Sequence, residues 1–128
     1  VEDAEAKAHK AIVAGLFQAI NERRFDELGE YLAVDVVDDN KSFLGDEAGS
    51  QDAFDGIPAQ LAMFDSYVVE VEEVIAEGAR VVALVTQRGV YRGTGGRAFE
   101  NQAAYLFTMS SKKISRVRAI GDGPEPSR

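Results

Sequence analysis

The sequence predicts an α+β domain in which helical segments come first and a mostly antiparallel sheet follows. Three observations carry that prediction. Ile12, Leu16 and Ile20 recur at i, i+4 and i+8 with Val13 and Phe17 beside them, which is one apolar stripe along a helix. The second half is strand-like, with runs at Tyr67–Ile75, Arg80–Arg92, Ala98–Met109 and Lys113–Ile120. Glycine-bearing connections join several of these runs, as antiparallel neighbours allow.

The first helix is expected to end near Asn21. Phe25, Leu28 and Leu32 repeat the helical spacing in a shorter second helix, and Asn21-Glu22-Arg23-Arg24 is a tight polar connection between the two. Val34 to Asn40 reads as a short strand, in which alternation sets Val36, Asp38 and Asn40 on one side and Val37 and Asp39 on the other. Residues 41–55 are mostly Gly, Ser, Asp and Glu, with isolated Phe43, Leu44 and Phe54, and read as a loop or a turn of helix over the surface. Pro58 suits a first helical position, and Leu61 and Phe64 give a short third helix its apolar side. Ala76-Glu77-Gly78-Ala79 and Gly93-Thr94-Gly95-Gly96 supply turns between strands. The second is read as a hairpin turn and not a phosphate cradle, because a strand follows it where a cradle needs a helix N-terminus. Along Ala98–Met109 one alternating set is Phe99, Asn101, Ala103, Tyr105, Phe107 and Met109. Such a mixed face suits a lined pocket. A strongly curved sheet of this kind can wrap the three helices as a cone, and its open end is a natural pocket.

Length and composition bound the rest. A chain of 128 residues with 45% apolar content is read as one domain over 1–128, its core from about 8 to 122 and 123–128 a flexible tail. No apolar run approaches the ~18 residues of a membrane span, and the start VEDAEAKAHK is too charged for a signal sequence. A soluble, cytoplasmic protein is the expectation. Cysteine is absent, which excludes disulfides and thiolate metal sites. The net charge of -8 disfavours nucleic acid and anionic membranes as partners. Lys112, Lys113, Arg116 and Arg118 form a local basic cluster, read as a solvated strand edge. His9 is the single histidine, so a multi-histidine metal site is impossible and a serine or cysteine triad is all but excluded. It is expected on the surface of the first helical turn. Glu70 and Glu72 fall on one face of their strand and Glu73 on the other, so they are read as surface charges and no metal is expected.

Several runs carry a family resemblance. Ala19-Ile20-Asn21-Glu22-Arg23-Arg24-Phe25-Asp26-Glu27-Leu28, then Asp35-Val36-Val37, then Val74 to Val82, then Gly89-Val90-Tyr91-Arg92-Gly93, together with the pattern from Lys113-Ile114 to Asp122, resemble the SnoaL-like branch of the NTF2-like superfamily. The resemblance covers roughly Ala11 to Asp122 and implies a cone-shaped NTF2-like fold. Proteins of this kind include polyketide cyclases, epoxide hydrolases, ketosteroid isomerases, dehydratases and non-catalytic binding proteins, so the fold does not choose among functions. The resemblance places the cyclases' acid/base aspartate at Ala119 and their histidine at Tyr105. It places the epoxide hydrolases' water-holding asparagine at Asn40, their arginine and aspartate at Val85 and Gln87, and their second aspartate again at Ala119. The general base of the isomerases falls at Asn40, or at Asp39 with a slip of one. No catalytic set is complete. The resemblance also implies a homodimer, formed through an outer sheet face that carries Arg88, Glu100, Gln102, Arg116 and Arg118.

The remaining acid/base candidate is Asp38, which shares a strand face with Asn40. A carboxylate partly buried in an apolar cone gains proton affinity, which suits general acid/base work. The competing reading makes Asp38 and Asp39 a solvated strand end. Asn101 and Tyr105, with Gln87 and Tyr91 on the adjacent strand, offer amide and hydroxyl groups that polarise a carbonyl or hold a hydroxyl without changing charge. Tyr105 also fits an ordinary core aromatic whose hydroxyl finds a partner. Two functions follow. One is a cofactor-free acid/base enzyme of cyclase, isomerase or epoxide-opening type, acting on a small apolar polyketide- or terpenoid-like substrate. Asp38, Asn40 and Tyr105 are its catalytic candidates, and Phe17, Gln87, Tyr91, Asn101 and Ala119 its binding candidates. The other is a non-catalytic small-molecule-binding module of the same fold, a reading that Ala119 favours.

Overall fold

The computed structural model describes residues 4–38, 57–58, 61–93 and 95–121. Helix α1 spans Ala4–Asn21 and a 3₁₀ helix spans Phe25–Glu30. Five strands follow: β1 (Leu32–Asp38), β2 (Phe64–Glu77), β3 (Arg80–Tyr91), β4 (Ala98–Ser110) and β5 (Lys113–Gly121). They form one sheet in the order β1-β5-β4-β3-β2, with β1 parallel to β5 and the other pairs antiparallel. The predicted α+β class, the helix end at Asn21 and the four strands of the second half all stand.

Helix α1 lies against β2, β3 and β5 and buries Val13, Leu16, Phe17 and Ile20. Its end is fixed by two backbone bonds, from Arg23 N–H to the Ile20 carbonyl (3.1 Å) and from Arg24 N–H to the Ala19 carbonyl (2.8 Å). That pair is a Schellman cap, and it holds Arg23 at φ +60°, where glycine is usual. His9 departs from expectation. It is buried, and its Nδ1 lies 3.0 Å from the Gly78 carbonyl, because the β2–β3 turn reaches over the start of the helix.

The predicted second helix is shorter than its spacing implied, and Leu32 opens β1 instead of closing that helix. Ile114 N–H donates to the Tyr31 carbonyl at 2.8 Å, and Leu32 stands opposite Ile114, so pairing with β5 captures the chain here. Phe64 likewise opens β2, opposite Tyr91, while helical geometry holds at Ile57, Pro58 and Leu61. Asn40, residues 41–55 and the tail 123–128 lie outside the described residues.

A bulge in β2 corrects the reading of its glutamates. Val71 faces Val85 and Glu73 faces Leu84, so Glu72 is the extra residue and alternation changes phase across it. Tyr67 and Val69 point inward before the bulge and Val74 and Ala76 after it, which brings Glu70 and Glu73 to the outer face. The inner set of β4 is as predicted, with Tyr105, Phe107 and Met109 buried and Glu100 and Gln102 exposed on the other side. Gly78 has φ +59° as the first of two connecting residues, the signature of a type II′ hairpin. No helix among the described residues is long and apolar enough to cross a membrane.

Candidate functional site

Three strands bring four polar side chains together on the inner face. Gln87 stands opposite Asn101 on β4 and Val69 on β2. Its Nε2 donates to the Tyr67 hydroxyl at 2.9 Å and to the Tyr105 hydroxyl at 2.7 Å, and its Oε1 accepts from Asn101 Nδ2 at 3.1 Å. Gln87 is only 1% exposed, so these bonds replace water that the amide no longer reaches. Among the described residues no buried side-chain nitrogen or oxygen is left without a partner.

The network is neutral, and burial keeps it so. Burial pushes the Tyr67 phenol up to about 12, against smaller opposing effects from the Gln87 hydrogen bond and the Arg23 charge. Each tyrosine oxygen accepts from Gln87, and a phenol hydroxyl is a group that can both accept and donate. Such donors stabilise negative charge that develops on an oxygen, and equally hold a resting carbonyl or hydroxyl.

Aromatic rings surround the network. Phe17 reaches down from α1 onto Tyr105, with centroids 5.7 Å apart, and onto Phe107 at 5.8 Å. Tyr67 leads into a second group: Phe64 lies 5.3 Å from Tyr67, and Tyr91 lies 5.1 Å from Phe64 and 5.0 Å from Phe99. Gly89, opposite both Tyr67 and Phe99, makes this approach possible. A Cβ there would lie 2.3 Å from the Ser66 carbonyl oxygen.

Of the residues singled out from sequence, Gln87, Asn101 and Tyr105 form one bonded group, with Phe17 packed on it. Ala119 is the cross-strand neighbour of Tyr105. Tyr91 belongs to the adjoining aromatic group, against Phe64 and Phe99. Asp38 ends β1 with its backbone opposite Val117, and Asn40 lies outside the described residues. Tyr67 was missed. Its signal was available, since it precedes Val69 by two on the inward set and faces Gly89, two positions from Gln87. No three histidine, aspartate or glutamate side chains among the described residues are placed to hold a metal.

Residues 13–117 match the model of the SnoaL-like domain. The chain belongs to that family. Solved structures place it among NTF2-like folds. A candidate SnoaL-like polyketide cyclase from Jannaschia sp. CCS1 superimposes with a TM-score of 0.79 at 19% identity, covering 94% of this chain and 89% of that one. An NTF2-like protein of unknown function from Burkholderia pseudomallei K96243 gives 0.75 at 19% identity, covering 90% and 91%. A hypothetical protein with a ketosteroid isomerase-like fold from Catenulispora acidiphila DSM 44928, in complex with trimethylamine, gives 0.72 at 19%, covering 86% and 84%. No curated protein matches the chain in sequence. At such identities the likeness speaks for the SnoaL-like chain's fold and not for its chemistry.

Proposed function

We propose that the inner face of the sheet holds a small, largely apolar molecule and that Tyr67, Gln87, Tyr105 and Asn101 hold one of its oxygens. The observation that carries this is the buried amide of Gln87 binding two tyrosine hydroxyls at once, walled by Phe17, Phe64 and Phe99. A core that needed only packing would gain nothing from four polar groups placed together, since each must be satisfied at the expense of water.

On the enzymatic reading the chain performs cofactor-free cyclisation, isomerisation or epoxide opening on a polyketide- or terpenoid-like substrate. The tyrosine hydroxyls stabilise charge on a reacting oxygen, Asp38 moves the proton, and Asn40 holds substrate or water. Tyr91 and Ala119 complete the binding surface, Ala119 by its small size beside Tyr105. A non-catalytic binding module is the second reading, favoured by Ala119 standing where the resemblance puts an acid. A cytoplasmic setting and self-association through the outer sheet face belong to the same proposal.

Calorimetric titration with 2-naphthol and with naphthalene tests the shared part. Tighter binding of the hydroxylated probe by about tenfold is expected, the worth of one or two good hydrogen bonds. That preference disappears in Tyr67→Phe/Tyr105→Phe. Equal affinity for the two probes in the unaltered chain sinks the proposal. Once a substrate is found to turn over, an unchanged rate in Asp38→Asn removes Asp38 from the mechanism.

A further inference from the structure

A bulge in β5 decides where its arginines point. Met109 faces Ile114 and Thr108 faces Arg116, so Ser115 is the extra residue and alternation changes phase across it. Ile114 and Val117 are both buried in consequence, and Arg116 and Arg118 both stand exposed on the outer face. Cross-strand pairing brings a third arginine beside them: Arg80 on β3 faces Thr108, which faces Arg116, while Arg118 faces Leu106 in the neighbouring row. Arg80, Arg116 and Arg118 line one groove of about 380 Å³ with Leu106 and Thr108.

Three like charges gathered together repel one another, a cost that the rest of this face avoids. Arg88, on the same face, is bridged by carboxylates from both neighbouring strands, Glu70 at 3.3 Å and Glu100 at 3.5 Å. Arg80 and Arg118 make no ion pair among the described residues, although Glu77 stands opposite Arg80 in the ladder. Acid is not scarce, since the chain has 22 Asp and Glu against 14 Lys and Arg. Lys113, at the start of β5, is occupied elsewhere and donates to the Gly29 carbonyl. The basic cluster that the sequence suggests is a solvated edge is therefore divided, and its two arginines join Arg80 in a recess.

Such a recess suits an anion with several oxygens. Guanidinium groups hold phosphate through paired N–H donors, and three of them match the three terminal oxygens of a phosphate monoester better than the two of a carboxylate. The Thr108 hydroxyl adds a further hydrogen-bonding group, and Leu106 gives the organic part of the ligand an apolar wall. The volume falls within the ~300–1,000 Å³ of small-ligand clefts. A long phosphate chain is disfavoured, because the net charge of -8 opposes it outside the short basic patch. We propose that this outer groove binds the phosphate group of a small phosphate monoester, with Arg80, Arg116 and Arg118 holding its oxygens. The site lies on the opposite face of the sheet from the Gln87 network and does not depend on it.

Amide-shift NMR titration with methyl phosphate, and with acetate as the carboxylate control, tests the proposal. At low ionic strength saturable shifts are expected at Arg80, Thr108 and Arg116–Arg118, with a Kd of about 1 mM or tighter for methyl phosphate and at least about tenfold weaker for acetate. Arg80→Gln and Arg118→Gln each weaken methyl phosphate by at least about fivefold, whereas Arg88→Gln changes it by less than about twofold. These arginines are exposed, and unchanged shifts in the core check that each variant keeps its fold. Absence of saturable shifts up to about 20 mM, equal affinity for acetate, or an equal loss in Arg88→Gln overturns the proposal. So does sedimentation showing that a second copy occupies the groove, as a dimer that Arg118→Gln dissociates and methyl phosphate does not.

Discussion

Arg23 shows how one residue serves both a local and a distant need. Its left-handed backbone costs roughly 1–2 kcal/mol that glycine would not incur. Against this, its guanidinium donates to the Ile20 carbonyl at 2.7 Å and to the Tyr67 carbonyl at 3.0 Å, and charged hydrogen bonds of this kind contribute about 1.5–3 kcal/mol each. The side chain therefore outweighs the strain and ties the helix end to the backbone of a site tyrosine. Tyr67 in turn has a consequence for pH. Its folded pKa of about 12 lies above the usual 10, so the folded chain retains a proton that the unfolded chain loses. The stability linked to it is complete below pH 10 and lost as pH rises toward 12. Urea unfolding between pH 9 and pH 12 should show this decline, and Tyr67→Phe should flatten it; an equal decline in both would assign the effect to other groups.

At the scale of elements, β2 is an edge strand whose open side is partly closed by the helix end. Asn21 accepts from Val69 N–H and donates to the Val69 carbonyl, both at 2.8 Å, so one amide side chain imitates a neighbouring strand. The sequence showed Asn21 only as part of a polar connection, because nothing local reveals which backbone 48 residues away will lie beside it. The β4–β5 turn was equally hidden. Ser110 pairs with Lys113, and both connecting residues have positive φ, +51° at Ser111 and +67° at Lys112. That is the signature of a type I′ turn, which Asn-Gly fits best. The register of two long strands overrides the local preference of Ser and Lys. Replacing Ser111-Lys112 by Asn-Gly should stabilise the chain by about 1 kcal/mol, raising Tm by a few degrees. A lower Tm would show that the native side chains contribute more than the turn strain they carry.

Across the whole molecule, what was legible was what repeats. The stripe of α1 and the alternation of β3 and β4 persist over many residues, so their buried faces followed from period alone, and Gln87, Asn101 and Tyr105 were found on a common side. Features that depend on a single residue were not legible: the bulge at Glu72 and the burial of His9. The same contrast governs stability. β3 and β4 are each hydrogen-bonded on both sides along nearly their full length, whereas β1 meets β5 through a short parallel ladder with a register shift between Leu32 and Val37. Parallel pairing is slightly weaker per residue, and an edge opens without breaking the ladders behind it. Amide exchange should therefore be slowest at Val81–Val85 and Ala103–Phe107 and at least about tenfold faster along β1. If instead β1 exchanges as slowly as β3, the sheet opens only as a unit, and the proton transfer proposed for Asp38 would have a frame as rigid as the one that holds Gln87.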